Sequence, residues 1–211
     1  GHPRLPSRTG CGRVRARVGV DLILDVEQEA DVVLSIVPAD GWAVEESLTV
    51  RADGHDVTAT ALGDAHGTRV HRALLTPGRT VVSYRGLVSS PSTPAPSDDL
   101  DAVRYLRPSR YAPSDDPRLT DDASVEAESA REVVSEIVNR VAGRLRYVSG
   151  SSGPADTALD TLREGAGVCR DYAHVTISLL RAAGIPARLV SVFAPGLEPM
   201  DFHAAVEAFA E

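Results

Sequence analysis

The sequence predicts an α+β protein in two parts: an N-terminal all-β sandwich, then a domain with helices first and antiparallel strands last. Three observations predict this fold class. Short β-branched segments alternate with turn residues over the first part of the chain, a Pro/Ser-rich stretch follows, and later apolar residues recur at the spacing of one helix face.

The first part contains six segments that favour strands, because they are rich in β-branched and apolar residues and end near Gly, Pro or Asp. Short strands at this spacing are typical of a β-sandwich. We therefore predict strands at Val18–Val26, Val32–Val37, Leu48–Arg51, Asp56–Leu62, Thr68–Leu75 and Arg79–Arg85.

The composition limits the class of protein. Of 211 residues, 43% are hydrophobic and 25% are charged, as in ordinary globular proteins. The net charge of −8 argues against nucleic acid or an anionic membrane as the main partner, and no apolar run approaches the roughly 18 residues of a membrane span. Cys11 and Cys169 form no disulfide framework, so we predict a cytoplasmic protein.

The composition also predicts the division of the chain. Residues 1–17 carry five arginines and no acidic residue and begin with Gly-His, which indicates a tag, a linker or a poorly ordered segment. The β-sandwich domain is predicted at 18–90 and a Pro-rich connector at 91–123. Residues 124–211 are predicted to form the second domain.

The second domain begins with helical signals. Apolar residues from Val134 to Leu145 recur on one helix face. Thr157 and Asp160 resemble a helix-capping pair, and a later helix starts near Val168 and stops at Gly184. Two segments, 187–193 and 202–209, then read as strands.

Cys169 is the candidate nucleophile, because it follows a glycine-rich turn at the start of a predicted helix. A helix N-terminus favours the thiolate, and its free N–H groups can stabilise an oxyanion. Gly165 and Gly167 let the chain turn sharply before the cysteine. His203, on the last predicted strand, is the candidate base.

Other interpretations of the same residues remain open. A cysteine that begins a core helix is often a packing residue. Asp171 and His174 are further candidates, but His174 follows Cys169 by five positions and so points to a different helix face, which favours packing. A metal site formed by these three residues and His203 would need a convergence that the sequence does not indicate, so we predict no metal and no cofactor.

The second domain resembles the bacterial transglutaminase-like superfamily from about Ser124 onwards. Three segments carry the resemblance in order: Gly-Ala-Gly-Val-Cys-Arg-Asp-Tyr-Ala-His at 165–174, Gly-Ile-Pro-Ala-Arg at 184–188 and Asp-Phe-His-Ala at 201–204. The first part resembles the β domain that precedes this core in many members, through segments 64–71, 83–84 and 105–111.

This resemblance implies a papain-like core with a Cys-His-Asp triad. Cys169 would be the nucleophile and His203 the general base and then acid, with Asp171, Tyr172 and Asp201 as possible accessory residues. The family's orienting aspartate lies on the strand after the histidine strand, and this chain has no residue at that place. We therefore expect a C-terminally truncated core with an open strand edge.

The resemblance implies thiol-dependent acyl transfer on peptide or protein amides, either to water as a cysteine peptidase or amidase, or to an amine as a transglutaminase. The absent aspartate is expected to impair this chemistry. The alternative is a non-catalytic interaction module on an inert core of the same fold, and a metal-dependent hydrolase is a weaker third interpretation. The oligomeric state is left open.

Overall fold

We analysed a computed structural model that describes residues 15–64, 66–89, 99–198 and 200–210. The chain divides into two compact units, Gly1–Pro96 and Ser97–Glu211. The predicted tag or linker lies outside the described residues up to position 14, and the first β-strand begins at Arg15. The start of the predicted connector, up to residue 98, also lies outside them.

The first unit consists of two antiparallel sheets, with strand orders β1-β7-β3-β4 and β2-β6-β5. The strands are β1 Arg15–Val26, β2 Ala30–Leu34, β3 Ala43–Ala52, β4 His55–Asp56, β5 Thr60–Gly63, β6 Arg69–Leu75 and β7 Gly78–Ser89.

Apolar side chains from both sheets meet in one core, which confirms the predicted sandwich. Leu34 and Leu75 come from one sheet, and Val50, Val82 and Tyr84 come from the other. Burial of each such large side chain contributes roughly 1.5–3 kcal/mol, so this core is the main stabilising contact between the sheets.

A polar cluster also joins the two sheets. Arg69 of β6 donates to both carboxylate oxygens of Glu46 in β3, at 2.6 and 2.7 Å. The hydroxyl of Tyr84, which is fully buried in β7, donates to the same carboxylate at 3.0 Å. Burial and this hydrogen bond raise the pKa of Tyr84 to about 12.

One predicted strand is wrong in its extent. The segment Asp56–Leu62 does not form one strand, because β4 pairs with β3 in the first sheet while β5 pairs with β6 in the second. The residues between them, 57–59, carry the chain from one sheet to the other. No Gly or Pro interrupts the segment Asp56–Leu62, so the sequence pattern does not reveal the change of partner.

The second unit contains five described helices, a short 3₁₀ turn and two small sheets. Its elements are α1 Asp99–Leu106, the 3₁₀ turn Pro117–Leu119, α2 Thr120–Ala123, α3 Ala130–Arg144, β8 Arg146–Tyr147, α4 Ala158–Glu164, β9 Ala166–Gly167, α5 Cys169–Ala182, β10 Ala187–Val192 and β11 His203–Ala208. With the sandwich, this arrangement confirms the α+β class.

Helix α5 lies at the centre of this unit. It packs against the other four helices and against both β10 and β11. Helical spacing predicts one buried face with Val168, Tyr172, Val175, Thr176, Leu179 and Ala183. The structure also buries Ala173, Ile177 and Leu180, which lie outside that face. A helix that is surrounded on most sides needs apolar or small residues nearly all round, which widens the buried face.

The second core extends upstream of residue 124. Ala112, Leu119 and Ala123, from the predicted connector, are buried with Ile137 and Val175. Irregular segments can contribute to a core when turns and caps satisfy their backbone groups, as the side chain of Asp116 does for the 3₁₀ turn. None of the helices formed by the described residues is long and apolar enough to cross a membrane.

Candidate active site around Cys169

Cys169 is the first residue of α5. Val168 before it is extended and forms the helix N-cap. The thiol is partly exposed, and its Sγ donates to the carbonyl oxygen of Phe202 at 3.9 Å. The first turn of the helix offers backbone N–H groups close to this sulfur, as an acyl-transfer site requires.

His203 is the first residue of β11 and lies opposite Val192 in the register with β10. The structure therefore brings the histidine strand to the cysteine, since the sulfur contacts the residue immediately before His203. The half-buried imidazole makes no hydrogen bond to any described residue, Cys169 included. The backbone just before His203 thus contacts the thiol of Cys169, but among the described residues no hydrogen bond joins the two predicted side chains.

Asp201 does not orient the imidazole. Its Oδ1 accepts the backbone N–H of the next residue, Phe202, at 2.7 Å. Glu207, further along the strand, forms an ion pair with Arg188 at 2.7 Å. Among the described residues, therefore, no carboxylate serves His203 as the third member of a triad.

Asp171 is the best-connected side chain of the site, although it is fully buried. Its Oδ2 accepts the N–H of Val168 at 2.8 Å and the hydroxyl of Ser152 at 2.5 Å. Its Oδ1 accepts two bonds from Arg170, at 3.1 and 2.9 Å. Burial by itself raises the pKa of a carboxyl, but these hydrogen bonds and the Arg170 charge outweigh it and lower the pKa of Asp171.

The two glycines before the cysteine have different physical roles. Gly165 ends α4 in the left-handed region at φ 64°, a conformation that glycine adopts without strain. Gly167 needs space instead, because a Cβ there would lie 2.6 Å from the Cβ of Asp171. The second glycine therefore makes room for the buried carboxylate.

Tyr172 and His174 pack within the unit. The Tyr172 hydroxyl donates to the carbonyl oxygen of Leu145 at 2.7 Å, and so ties α5 to the end of α3. The His174 ring is buried and stacks on Tyr111, with centroids 5.3 Å apart. Burial first, and then the Arg170 charge, lower the pKa of His174, which favours the neutral ring.

Sequence reasoning missed Ser152 and Arg170. Arg170 Nη2 donates to the Ser152 hydroxyl and to the carbonyl oxygen of Gly153, both at 3.0 Å. The only sequence signal was the position of Asp171 three residues after the N-cap, where a carboxylate commonly accepts the cap N–H. No three His, Cys, Asp or Glu side chains within the described ranges form a group that could hold a metal ion.

The sequence profile of the transglutaminase-like superfamily matches residues 117–211. The matched region starts at the 3₁₀ turn and includes both Cys169 and His203. The profile therefore covers the second unit from the 3₁₀ turn onwards, with α2 to α5, β8 to β11 and the candidate site, but not α1.

Two solved structures cover most of the chain. A candidate cysteine protease from Cytophaga hutchinsonii is similar over 94% of this chain and 74% of its own, with 29% identity and a TM-score of 0.80. The periplasmic domain of TgpA from Pseudomonas aeruginosa is similar over 92% of this chain and 65% of its own, with 21% identity and a TM-score of 0.47.

An uncharacterized protein of Mycobacterium leprae is 46% identical to this chain over 48 residues. The matched segment covers 23% of this chain and 17% of that relative's length. The profile match and the similarity to the Cytophaga structure both include the domain that carries Cys169. Residues 117–211 of this chain match the transglutaminase-like superfamily and form a transglutaminase-like domain.

Proposed function

We propose that the protein catalyses thiol-dependent acyl transfer on peptide or protein amides, with Cys169 as nucleophile and His203 as general base and acid. The observation that carries this proposal is the position of Cys169 at the N-terminus of α5, with its sulfur 3.9 Å from the carbonyl oxygen of the residue before His203. The match of residues 117–211 to the transglutaminase-like superfamily and the similarity to a candidate cysteine protease support it.

The proposed reaction forms a thioester and then resolves it. The imidazole of His203 takes the thiol proton, and the thiolate of Cys169 attacks the amide carbonyl carbon. The resulting oxyanion is stabilised by the N–H groups of the first turn of α5. The C–N bond then breaks, the amine leaves with the proton from the imidazolium, and water or a second amine releases the acyl group.

Hydrolysis is the more strongly supported outcome, because the similar structure from Cytophaga was described as a candidate cysteine protease. Transfer to an amine uses the same thioester and differs only in the second nucleophile. A cytoplasmic location remains a prediction that rests on the two cysteines of the chain.

The first test is acyl-enzyme formation with p-nitrophenyl acetate. Wild-type protein is expected to release a stoichiometric burst of p-nitrophenolate and to carry one acetyl group on the peptide that contains Cys169. Cys169→Ala is expected to lose both signals, and Cys11→Ala, which changes the other cysteine of the chain, is expected to keep them. An undiminished burst from Cys169→Ala would show that the nucleophile has been misassigned.

A second assay separates the two outcomes of the thioester. Dimethylcasein is incubated with the protein and dansylcadaverine, and both peptide release and dansyl incorporation are measured. Hydrolysis predicts released peptides or acid groups without incorporation, whereas transglutamination predicts fluorescent casein. Both signals are expected to require Cys169.

One observation favours the alternative function, a non-catalytic interaction module. The imidazole of His203 has no hydrogen bond to Cys169 and no carboxylate partner among the residues the structure describes. If the module is inert, iodoacetamide should alkylate Cys169 below pH 7 no faster than it alkylates free cysteine. Faster alkylation in that range supports the enzyme.

A further inference from the structure

Three segments of the second unit converge on the carboxylate of Asp171. They are the turn before α5, represented by Val168, the loop between β8 and α4, represented by Ser152, and the first turn of α5, represented by Arg170. All three donate hydrogen bonds, and Asp171 is fully buried. A carboxylate with several donors, one of them charged, is held more rigidly than a neutral hydrogen-bonding group.

The bond to Val168 has a direct geometric consequence for the candidate site. Val168 is the N-cap of α5, so its N–H group would otherwise have no helical acceptor. This N–H lies in the peptide plane between Gly167 and Val168, and the carbonyl oxygen of Val168, in the next plane, accepts the backbone N–H of Asp171 at 2.9 Å. Asp171 thus holds the peptide planes on both sides of Val168. The second of these planes carries the N–H of Cys169, a group that faces a substrate at the helix N-terminus.

The backbone of Gly167 packs closely against the side chain of Asp171. A methyl group at Gly167 would lie 2.6 Å from the Asp171 Cβ and 3.0 Å from its Oδ2. Such contacts cannot be relieved by rotating a flexible side chain, because the nearer atom is the Cβ of a residue inside α5. Asp171 therefore fits in its place because position 167 has no side chain.

We propose that Asp171 is a positioning residue that preorganises the oxyanion-binding N–H groups at the start of α5, together with Ser152, Arg170 and Gly167. This inference rests on the proposed function, since it assumes that acyl transfer occurs at Cys169. It assigns Asp171 to the geometry of the oxyanion donors and not to proton transfer. Preorganised donors contribute by avoiding reorganisation when the charge develops.

The proposal predicts that loss of these contacts changes the rates of two reactions of the Cys169 thiol by different amounts. Acetylation by p-nitrophenyl acetate passes through a tetrahedral oxyanion, whereas alkylation by iodoacetamide is a displacement at carbon with no oxyanion. Loss of the positioning contacts should therefore slow acetylation while it leaves alkylation nearly unchanged. A purely structural role would slow both reactions or neither.

The experiment measures both rate constants from pH 5 to 10 in the full chain and compares the high-pH plateaus, which removes any change in thiol ionisation. Asp171→Asn places an amide against the donors Ser152 and Arg170. We expect the acetylation plateau to fall about 10- to 100-fold, which is less than the roughly 10²- to 10³-fold loss on removal of an oxyanion donor, because the donors remain and only their orientation changes. The alkylation plateau should change less than about threefold, a difference much smaller than the acetylation loss.

Gly167→Ala is the second variant, because it keeps the carboxylate but displaces it. It should also slow acetylation much more than alkylation, and it keeps the proposal testable if Asp171→Asn does not fold. Ser152→Ala removes one of the donors. It should slow acetylation more than alkylation, but by a smaller factor than Asp171→Asn does.

Asp160→Asn is the matched control. Asp160 accepts the N-cap N–H of Thr157 in the same way, but it belongs to the first turn of α4. It should lower the melting temperature and leave both plateaus within twofold.

The outcomes are distinguishable. If the wild-type protein is not acetylated at Cys169, the proposed function fails first. If the wild type is acetylated but Asp171→Asn and Gly167→Ala lower both plateaus equally, or leave acetylation unchanged, the positioning role of Asp171 is overturned. A fall in acetylation alone, absent from Asp160→Asn, establishes it.

Discussion

The Sγ of Cys169 donates to the carbonyl oxygen of Phe202 at 3.9 Å, and this contact joins the first residue of α5 to the residue before β11. The two segments are far apart in sequence, and β11 reaches the helix because it pairs with β10, which follows α5 directly. The approach of the backbone before His203 to the thiol thus depends on the hairpin that β10 and β11 form.

His203→Gln tests whether this proximity is used in catalysis. Glutamine has a similar volume but cannot take up a proton at neutral pH, so general-base assistance is lost. We expect the acetylation rate of Cys169 to fall about 10²- to 10⁴-fold, measured from the p-nitrophenolate burst. The control His55→Gln changes an exposed histidine of the sandwich and should acetylate at the wild-type rate; equal rates for the two variants would exclude His203 as the base.

Tyr84 should ionise late in an alkaline titration. Its pKa is raised to about 12, first by burial and then by the hydrogen bond to Glu46. Because the folded-state pKa is raised, the stabilisation is complete below the unfolded-state value of about 10 and is lost as the pH rises towards 12.

The measurement is tyrosine absorbance at alkaline pH, for which the chain offers five tyrosines. One late phase is expected in the wild type, and Tyr84→Phe should lack it. If the late phase persists in Tyr84→Phe, it belongs to another tyrosine. Unfolding of the sandwich by urea, followed from pH 9 to 12, should show stability falling over the same range in the wild type.

Gly165 and Gly143 form a matched pair for glycine-to-alanine substitution. Gly165 has φ 64°, so alanine there should destabilise the protein by roughly 1–2 kcal/mol. Gly143 lies inside α3 with open space around it, so alanine there should stabilise the protein by about 0.4–1 kcal/mol. Opposite shifts of the urea midpoint are expected; shifts of the same sign would contradict the helix end placed at Gly165.

Ile137 and Val138 test which face of α3 is buried. Ile137 is 0% exposed and Val138 is 47% exposed, although both belong to the apolar repeat of the helix. Ile137→Ala should cost about 2–5 kcal/mol because it leaves a cavity in the second core. Val138→Ala should change the free energy of unfolding by about 0.5 kcal/mol or less, and equal losses in urea melts would show that the helix is rotated from the position described.

Much of the fold could be predicted from local patterns. The capping pair of Thr157 and Asp160 predicted the start of α4, and Gly184 predicted the end of α5. These signals work because caps and stops involve residues that are neighbours in the chain. The change of sheet between β4 and β5 was missed because no Gly or Pro marks it, and only the partner strands distinguish the two halves.

The sequence by itself determined the candidate nucleophile, since a cysteine between a glycine turn and a helix is a local pattern. It did not determine what Asp171 does. The role of that aspartate depends on donors at positions 152, 168 and 170, and the first of these, Ser152, belongs to a different loop, between β8 and α4. A hydrogen bond between distant segments leaves no periodicity in the sequence, so only the tertiary structure decided it.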